Sequence, residues 1–219
     1  MKKILLLVFF SLCAFVTKVH SQDARVIDGD SLEVAGVSYR LRGIDAPEFG
    51  QNCSKISGGN WQCGKEATAY LKSLTQGKSV NCIGDETDNY GRTIAVCYVG
   101  EINLNVEMVS AGMAWAFTKF SDDYVTVEER ARTANAGVWQ APTTTPWDFR
   151  RQRWEVAKQE APKGCPIKGN ISKGGEKIYH SPWSPWYSRT KISLDKGERW
   201  FCTEAGAKAA GWRAPIWGG

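Results

Sequence analysis

Histidine is almost missing from this 219-residue sequence: there is His20 and there is His180. No two cysteines stand in a CxxC pair. A structural zinc site, which wants four cysteine or histidine ligands, therefore has little to draw on. No charge of one sign dominates. The formal net charge is +5. Residues 1–21 read as a removable leader, and taking away Lys2, Lys3 and Lys18 leaves 25 basic against 23 acidic residues, about +2. There is no polybasic coat, so any phosphate-binding site must be built locally. Beyond the leader no stretch is long and apolar enough to cross a bilayer, and the mature chain is expected not to insert into a membrane. Internal repeats and low-complexity tracts are absent too, which argues against solenoid, propeller and disordered architectures.

The leader has a positive start, Met1-Lys2-Lys3, and an apolar run from Ile4 to Val16 that is short for a membrane span. Val19-His20-Ser21 then offers a cleavage point. That is the pattern of a secretory signal peptide, and a secreted or periplasmic location is expected. Six cysteines follow it: Cys53, Cys63, Cys82, Cys97, Cys165 and Cys202. An even count in an exported chain points to disulfides. Six allow fifteen connectivities, but the spacing favours local pairs. Cys53 and Cys63 bracket the loop Ser57-Gly58-Gly59-Asn60, Cys82 and Cys97 lie on two strand-like runs, and Cys165 with Cys202 closes the tail. In the chain-entropy account such loops contribute roughly 3–4 kcal/mol each.

The residues at 24–99 mostly alternate like strands. Expected strands are Arg25–Ile27, Ser31–Val34, Ser38–Ile44, Lys78–Ile83 and Arg92–Val99, arranged as antiparallel hairpins. Helices are expected at Gly64–Gln76, Asn103–Ser110 and Val127–Asn135. A turn is expected at Asp85–Gly91. Five strands and three helices suit a β-barrel with helices (α+β), a five-stranded OB-type Greek-key barrel. The domain plan is then residues 22–141 for the barrel, 142–164 for a helical extension and linker, and 165–219 for a small C-terminal domain. That tail is too small for a generous core and would rely on one disulfide and several of the ten tryptophans.

Within the barrel, Asp30 follows a tight turn, and Asp45 and Glu48 end a strand that also carries Arg40 and Arg42. Arg92 follows Asp88-Asn89-Tyr90-Gly91. Alternation places Arg40 and Arg42 on one face. Carboxylates suit a hard cation, and guanidinium forks suit the crowded oxygens of a phosphoryl group in transit. Each piece alone is weak: Asp-Gly-Asp is ordinary turn chemistry, and a strand arginine is usually a solvated charge.

Taken together, Val26-Ile27-Asp28-Gly29-Asp30-Ser31, then Tyr39-Arg40-Leu41-Arg42-Gly43-Ile44-Asp45-Ala46-Pro47-Glu48, then Asp88-Asn89-Tyr90-Gly91-Arg92 resemble the staphylococcal nuclease family. The resemblance runs on through Gly64-Lys65-Glu66-Ala67 and Asn103-Leu104 to Gly137-Val138-Trp139. It implies calcium as cofactor, held by Asp30, Asp45 and the Ala46 carbonyl, where the family usually has threonine. It implies Glu48 as the group that directs water, and Arg40 and Arg92 as phosphate-binding catalytic residues. DNA and/or RNA would be the substrate and a monomer the working unit. The family's tyrosine pair falls near Thr118 and Phe120, so Tyr90, Lys119 and Phe120 are the substrate-binding candidates. All of the catalytic and metal positions lie at or before Arg92, and the tail is expected to stand apart from the site. The alternatives are a nucleic-acid-binding barrel that does not cut, and a cell-envelope binding protein led by its tail.

Overall fold

The structure is a computed structural model that describes residues 24–215, so the signal-peptide reading of residues 1–21 lies outside the described residues. Strands β1 (Arg25–Val26), β2 (Ser31–Val34) and β3 (Val37–Leu41) run antiparallel in sequence, and β4 (Ile44–Asp45) follows after Arg42-Gly43. A small hairpin, β5 (Cys53–Ser54) with β6 (Asn60–Trp61), leads into helix α1 (Cys63–Thr75). Next come β7 (Asn81–Thr87), β8 (Thr93–Val99), β9 (Ile102–Asn103), α2 (Leu104–Ser110), β10 (Trp115–Ala116) and α3 (Val125–Thr133).

The main sheet has the order β1-β2-β3-β8-β7, with β9 against β8. The five expected strands and three expected helices are thus present, and the sheet curls as an OB-type barrel capped by helices. Leu32, Leu41, Ile44, Leu71, Leu104, Met108 and Val109 are fully buried between sheet and helices. Each such side chain contributes about 1.5–3 kcal/mol by leaving water.

Two local expectations need correction. The strands are not all hairpin-paired: β3 and β8 pair in parallel, Tyr39 opposite Thr93 and Arg40 opposite Ile94. And the turn expected from Asp85 begins later. β7 continues to Thr87, with a bulge between Ile83 and Glu86. Gly84 permits this, because a Cβ there would lie 2.1 Å from the Ile94 carbonyl oxygen. An extra residue in one strand is absorbed without ending it.

Helix α2 locks the sheet from within. Asn103 caps it by accepting from the Val106 amide at 3.2 Å. Fully buried Asn105 accepts from the Cys97 amide at 3.1 Å and donates to the Arg42 carbonyl at 2.9 Å, tying β8 to the end of β3.

Helix α4 (Pro146–Glu160) follows, with Thr145 as N-cap and Pro146 at its first turn. The tail then builds a three-stranded sheet, β11 (Ile167–Ile171) flanked by β12 (Lys177–His180) and β13 (Arg199–Phe201), plus the short helix α5 (Glu204–Ala209). Its core is Ile167, Tyr179, Ala207 and Trp212. All three local disulfides form: Cys53–Cys63, Cys82–Cys97 and Cys165–Cys202. Among the described residues no helix is long and apolar enough to cross a membrane.

Candidate active site

Sheet register brings the charged residues together. Ser31 lies opposite Arg40 across β2 and β3, and Arg40 lies opposite Ile94 across β3 and β8. Arg92 precedes Ile94 by two residues, so it faces the same side. The Arg40 guanidinium forks between Asp30, through Nη1 to Oδ1, and Asp45, through Nη2 to Oδ1 at 2.8 Å. Ser31 Oγ joins the two halves. It donates to Asp30 Oδ1 at 3.1 Å and accepts from Arg92 Nη1 at 3.1 Å. Arg92 is held by Asp88, whose Oδ2 accepts from Nε at 2.7 Å. Against the upward push of burial, the Arg92 amide, the Arg92 guanidinium and the Tyr90 amide together keep the Asp88 carboxyl below its ordinary range.

The Asp28-Gly29-Asp30 turn has a steric reason as well. A Cβ on Gly29 would lie 2.7 Å from the Ala46 side chain and 2.9 Å from that of Ala67. Only glycine lets the segment just after β4, which carries Ala46, close in, and the Ala46 amide then donates to Asp30 Oδ2 at 2.7 Å. Glu48 is placed by a second close approach. A Cβ on Gly64 would sit 1.7 Å from the Glu48 carbonyl oxygen, so α1 starts directly against this loop. Buried Gln51 accepts from the Glu48 amide at 3.2 Å and donates to the Thr144 carbonyl at 2.7 Å. The Cys53–Cys63 disulfide closes the same loop.

One residue that the sequence reading passed over enters here. Arg150, on α4, donates to Asp45 Oδ1 at 3.1 Å, to Asp45 Oδ2 at 2.7 Å and to Glu48 Oε1 at 2.7 Å. Its position follows from the face of α4 that it occupies. Trp147, Arg150, Trp154 and Ala157 recur at helical spacing. Trp147 stacks on Phe117 with centroids 5.4 Å apart and meets Trp115 edge-on at 6.5 Å. Trp154 lies 6.1 Å from Trp183 in the tail. The apolar stripe seats the helix, and the charge in its middle lands on the carboxylates. An arginine interrupting an apolar helical face was the available signal.

The electrostatics are those of a crowded, dry cluster. Asp45 is fully buried and Asp30 nearly so. Burial pushes the Asp30 carboxyl up to about 7 despite the opposing Arg40 charge. Burial likewise raises Glu48 to about 7, against the pull of Arg150. Three carboxylates, Asp30, Asp45 and Glu48, meet three guanidinium groups, Arg40, Arg92 and Arg150, so the charges of the cluster nearly balance when all are ionised.

A cleft of about 710 Å³ opens over these residues. Arg40, Glu48, Arg92 and Arg150 line it, as do Tyr90 and Phe120. Phe120 is strongly exposed, while Lys119 lies outside the lining with its ammonium 5.6 Å from the Phe120 ring. Arg42 lies just past the end of β3 and is exposed on the cleft rim, apart from the Arg40 fork. The same cleft is walled by Tyr179, Ser181, Trp183, Glu204 and Lys208 of the tail. The expectation that the tail stands apart from the site is therefore corrected by these side chains, and Arg150 adds a residue of helix α4 to the cleft. His180 stays structural. It is buried, shares a hydrogen bond with Ser184 Oγ at 3.2 Å, and burial lowers its pKa to about 4.

Comparison with known proteins accords with this fold. The family described as staphylococcal nuclease homologue matches residues 38–141, and a second family, ArfC, matches residues 155–214. Arg150 falls between the two matched spans. An uncharacterized endonuclease of Escherichia coli O157:H7 is 34% identical over 157 residues, covering 68% of this chain and 96% of that protein. A micrococcal nuclease of Shigella flexneri is 33% identical over 145 residues, covering 58% of this chain and 78% of that protein. A probable staphylococcal-like nuclease of Oryza sativa subsp. japonica is 30% identical over 153 residues, covering 68% of this chain and 39% of that protein. With its barrel in place and nearly the whole of a relative spanned, the chain belongs to the staphylococcal nuclease homologue family.

Proposed function

We propose that the protein is an exported, calcium-dependent nuclease that hydrolyses phosphodiester bonds of DNA and/or RNA. The observation that carries this reading is the single cluster formed by Asp30, Arg40, Asp45, Glu48 and Arg92, of which Arg40, Glu48 and Arg92 line one cleft. The endonuclease and nuclease names of the relatives support the same reaction class.

The donor chemistry suits calcium. Among the described residues no three acidic, histidine or cysteine side chains converge on one point. Two desolvated carboxylates, Asp30 and Asp45, do stand side by side within reach of one guanidinium, beside the Ala46 backbone. These would hold the cation, with water filling the loose all-oxygen shell that calcium accepts. When bound, that cation supplies Lewis-acid polarisation of a phosphoryl oxygen.

The chain's own side chains do the rest. Arg92 lines the cleft with Ser31 and Asp88 fixing its fork, so it can bind a phosphate without reorganising. Arg40 lies beside it on the sheet and meets the growing charge on the equatorial oxygens. Glu48, half-buried and raised to about 7, is poised to accept a proton from attacking water near neutral pH. Exposed Phe120 offers a ring face to a base at the rim, and Tyr90, whose ring meets Arg92 and Lys208, borders the same strand path.

Three disulfides within the described residues suit an oxidising compartment, which supports export. Digestion of plasmid DNA and of RNA, with calcium, other divalent ions or chelator, tests the reading. Cleavage that needs calcium is expected. Cleavage unaffected by chelator would remove the metal from the mechanism, and none under any condition would favour a binding barrel instead.

A further inference from the structure

The tail is a part of the chain to which the hydrolytic chemistry assigns no task. Yet it is docked at the site. Lys208 on α5 donates to the Tyr90 carbonyl at 2.6 Å and lies 4.7 Å from the centre of the Tyr90 ring. Glu204, one turn earlier, takes hydrogen bonds from Ser181 and from the Tyr90 side chain, which turns its carboxylate toward the protein. On the other side of the cleft, Gly50 in the Glu48 loop lies against the Trp183 carbonyl and Pro185, with space for little more than a Cβ. Helix α4 spans the two bodies, with Trp147 packed on the barrel and Trp154 on the tail. The tail is therefore fixed over the barrel by three separate contacts, and the cleft between them has two walls.

The two walls differ in chemistry in a useful way. The barrel wall carries Arg40 and Arg92, which suit the phosphate being cut. The tail wall carries a half-buried indole, Trp183, and an ammonium, Lys208. An aromatic face beside a cation is the combination that holds a nucleotide strand without reading its sequence, because every base has a face and every linkage a charge. The size fits as well, since ligand clefts usually measure roughly 300–1,000 Å³.

We propose that the C-terminal domain is the second wall of the substrate cleft, with Trp183 as a base-stacking subsite and Lys208 as a phosphate subsite for the strand that lies across Arg40 and Arg92. The proposal rests on the nuclease reading and adds a binding task for the tail. It makes the tail a determinant of strand affinity, acting through substrate contact.

The test uses the full-length mature protein. A fluorescein-labelled single-stranded oligonucleotide is titrated with wild type, Trp183→Ala, Trp183→Phe, Lys208→Ala and Lys208→Glu in chelator, and binding is read as anisotropy. Steady-state cleavage of the same strand in calcium gives kcat and KM, and thermal melts establish that each variant is folded. Trp183→Ala and Lys208→Ala are expected to weaken binding and raise KM about tenfold each. Lys208→Glu should be weaker still, and Trp183→Phe should recover most of the loss. Folded variants that bind and cleave like wild type would overturn the subsites while leaving the nuclease reading intact. Wild type that neither binds nor cuts any strand would instead overturn the nuclease reading itself. If Trp183→Ala or Lys208→Ala proves unstable, Trp183→Leu and Lys208→Gln, which keep bulk but remove the aromatic face and the charge, decide the matter on the same two readouts.

Discussion

Arg150→Met probes the joint between helix α4 and the carboxylates. The substitution keeps an unbranched stem but removes the cation. Asp45, with no exposed side-chain surface, would keep its bond from Arg40 but lose both from Arg150, and Glu48 would lose the Arg150 guanidinium. Breaking one partner out of a buried ion pair costs about 3–5 kcal/mol, mostly from the charge left unpaired. Arg150 and Glu48 are 24% and 20% exposed, so water relieves part of this, and about 3 kcal/mol is the better figure. For a chain of this length each kcal/mol moves Tm by roughly 2–4 °C, which gives a fall of about 6–12 °C. Calorimetry at neutral pH in chelator reads it. The double variant Arg150→Met/Glu48→Gln should lose less than the sum of its parts, since the two groups touch. A single variant that melts within about 2 °C of wild type would show that Arg150 is not held against Asp45, and the position of α4 would have to be rethought.

Three other outcomes follow from the same geometry. Arg40→Ala and Arg92→Ala should each lower single-turnover cleavage by about 10²-fold, as loss of a preorganised charge donor does, with folding confirmed by circular dichroism. In chelator, burial holds Asp30 and Glu48 protonated up to about 7 in the folded chain, well above their ordinary range near 4. Their protons favour the folded state, so the contribution of these two groups to stability is full below about pH 4 and is lost as pH rises through about 7; urea melts of wild type and Glu48→Gln between these limits should show the variant declining less. Cys53→Ser/Cys63→Ser frees the loop that carries Glu48 and should cost about 2–4 kcal/mol in denaturant melts, with turnover falling more than affinity.

Much of the barrel was legible because its signals are local. Alternation marked the strands, the Ala67, Tyr70, Leu71 and Leu74 spacing marked α1, and Asn103 marked the start of α2. Cysteine spacing was enough for the disulfides. The parallel pairing of β3 with β8 was not legible, since register across fifty residues leaves no trace in either strand alone. Nor was the run of β7 past Asp85, because a bulge at Gly84 looks like a turn in sequence.

For the site, the residues at Asp30, Arg40, Asp45, Glu48 and Arg92 could be named from their spacing and from family resemblance. What escaped was the third guanidinium. Arg150 sits in a basic helix beyond the barrel, where charge alone suggests a solvated face. Only the tryptophans around it, at Trp147 and Trp154, hint that its face is turned inward. The same reasoning applies to the tail. Trp183 and Lys208 are separated from Arg92 by about a hundred residues, and no local pattern connects them.

The central claim is that one cluster, Asp30, Arg40, Asp45, Glu48 and Arg92, forms a metal-assisted phosphodiesterase site. Its most direct test is single-turnover hydrolysis of a labelled oligonucleotide by wild type, Arg40→Ala, Glu48→Ala and Arg92→Ala across a calcium series with a chelator blank. The account predicts calcium-dependent cleavage by wild type, none in chelator, and losses of about 10²-fold in the arginine variants that added calcium does not repair. Folded arginine variants that cleave at the wild-type rate would contradict it.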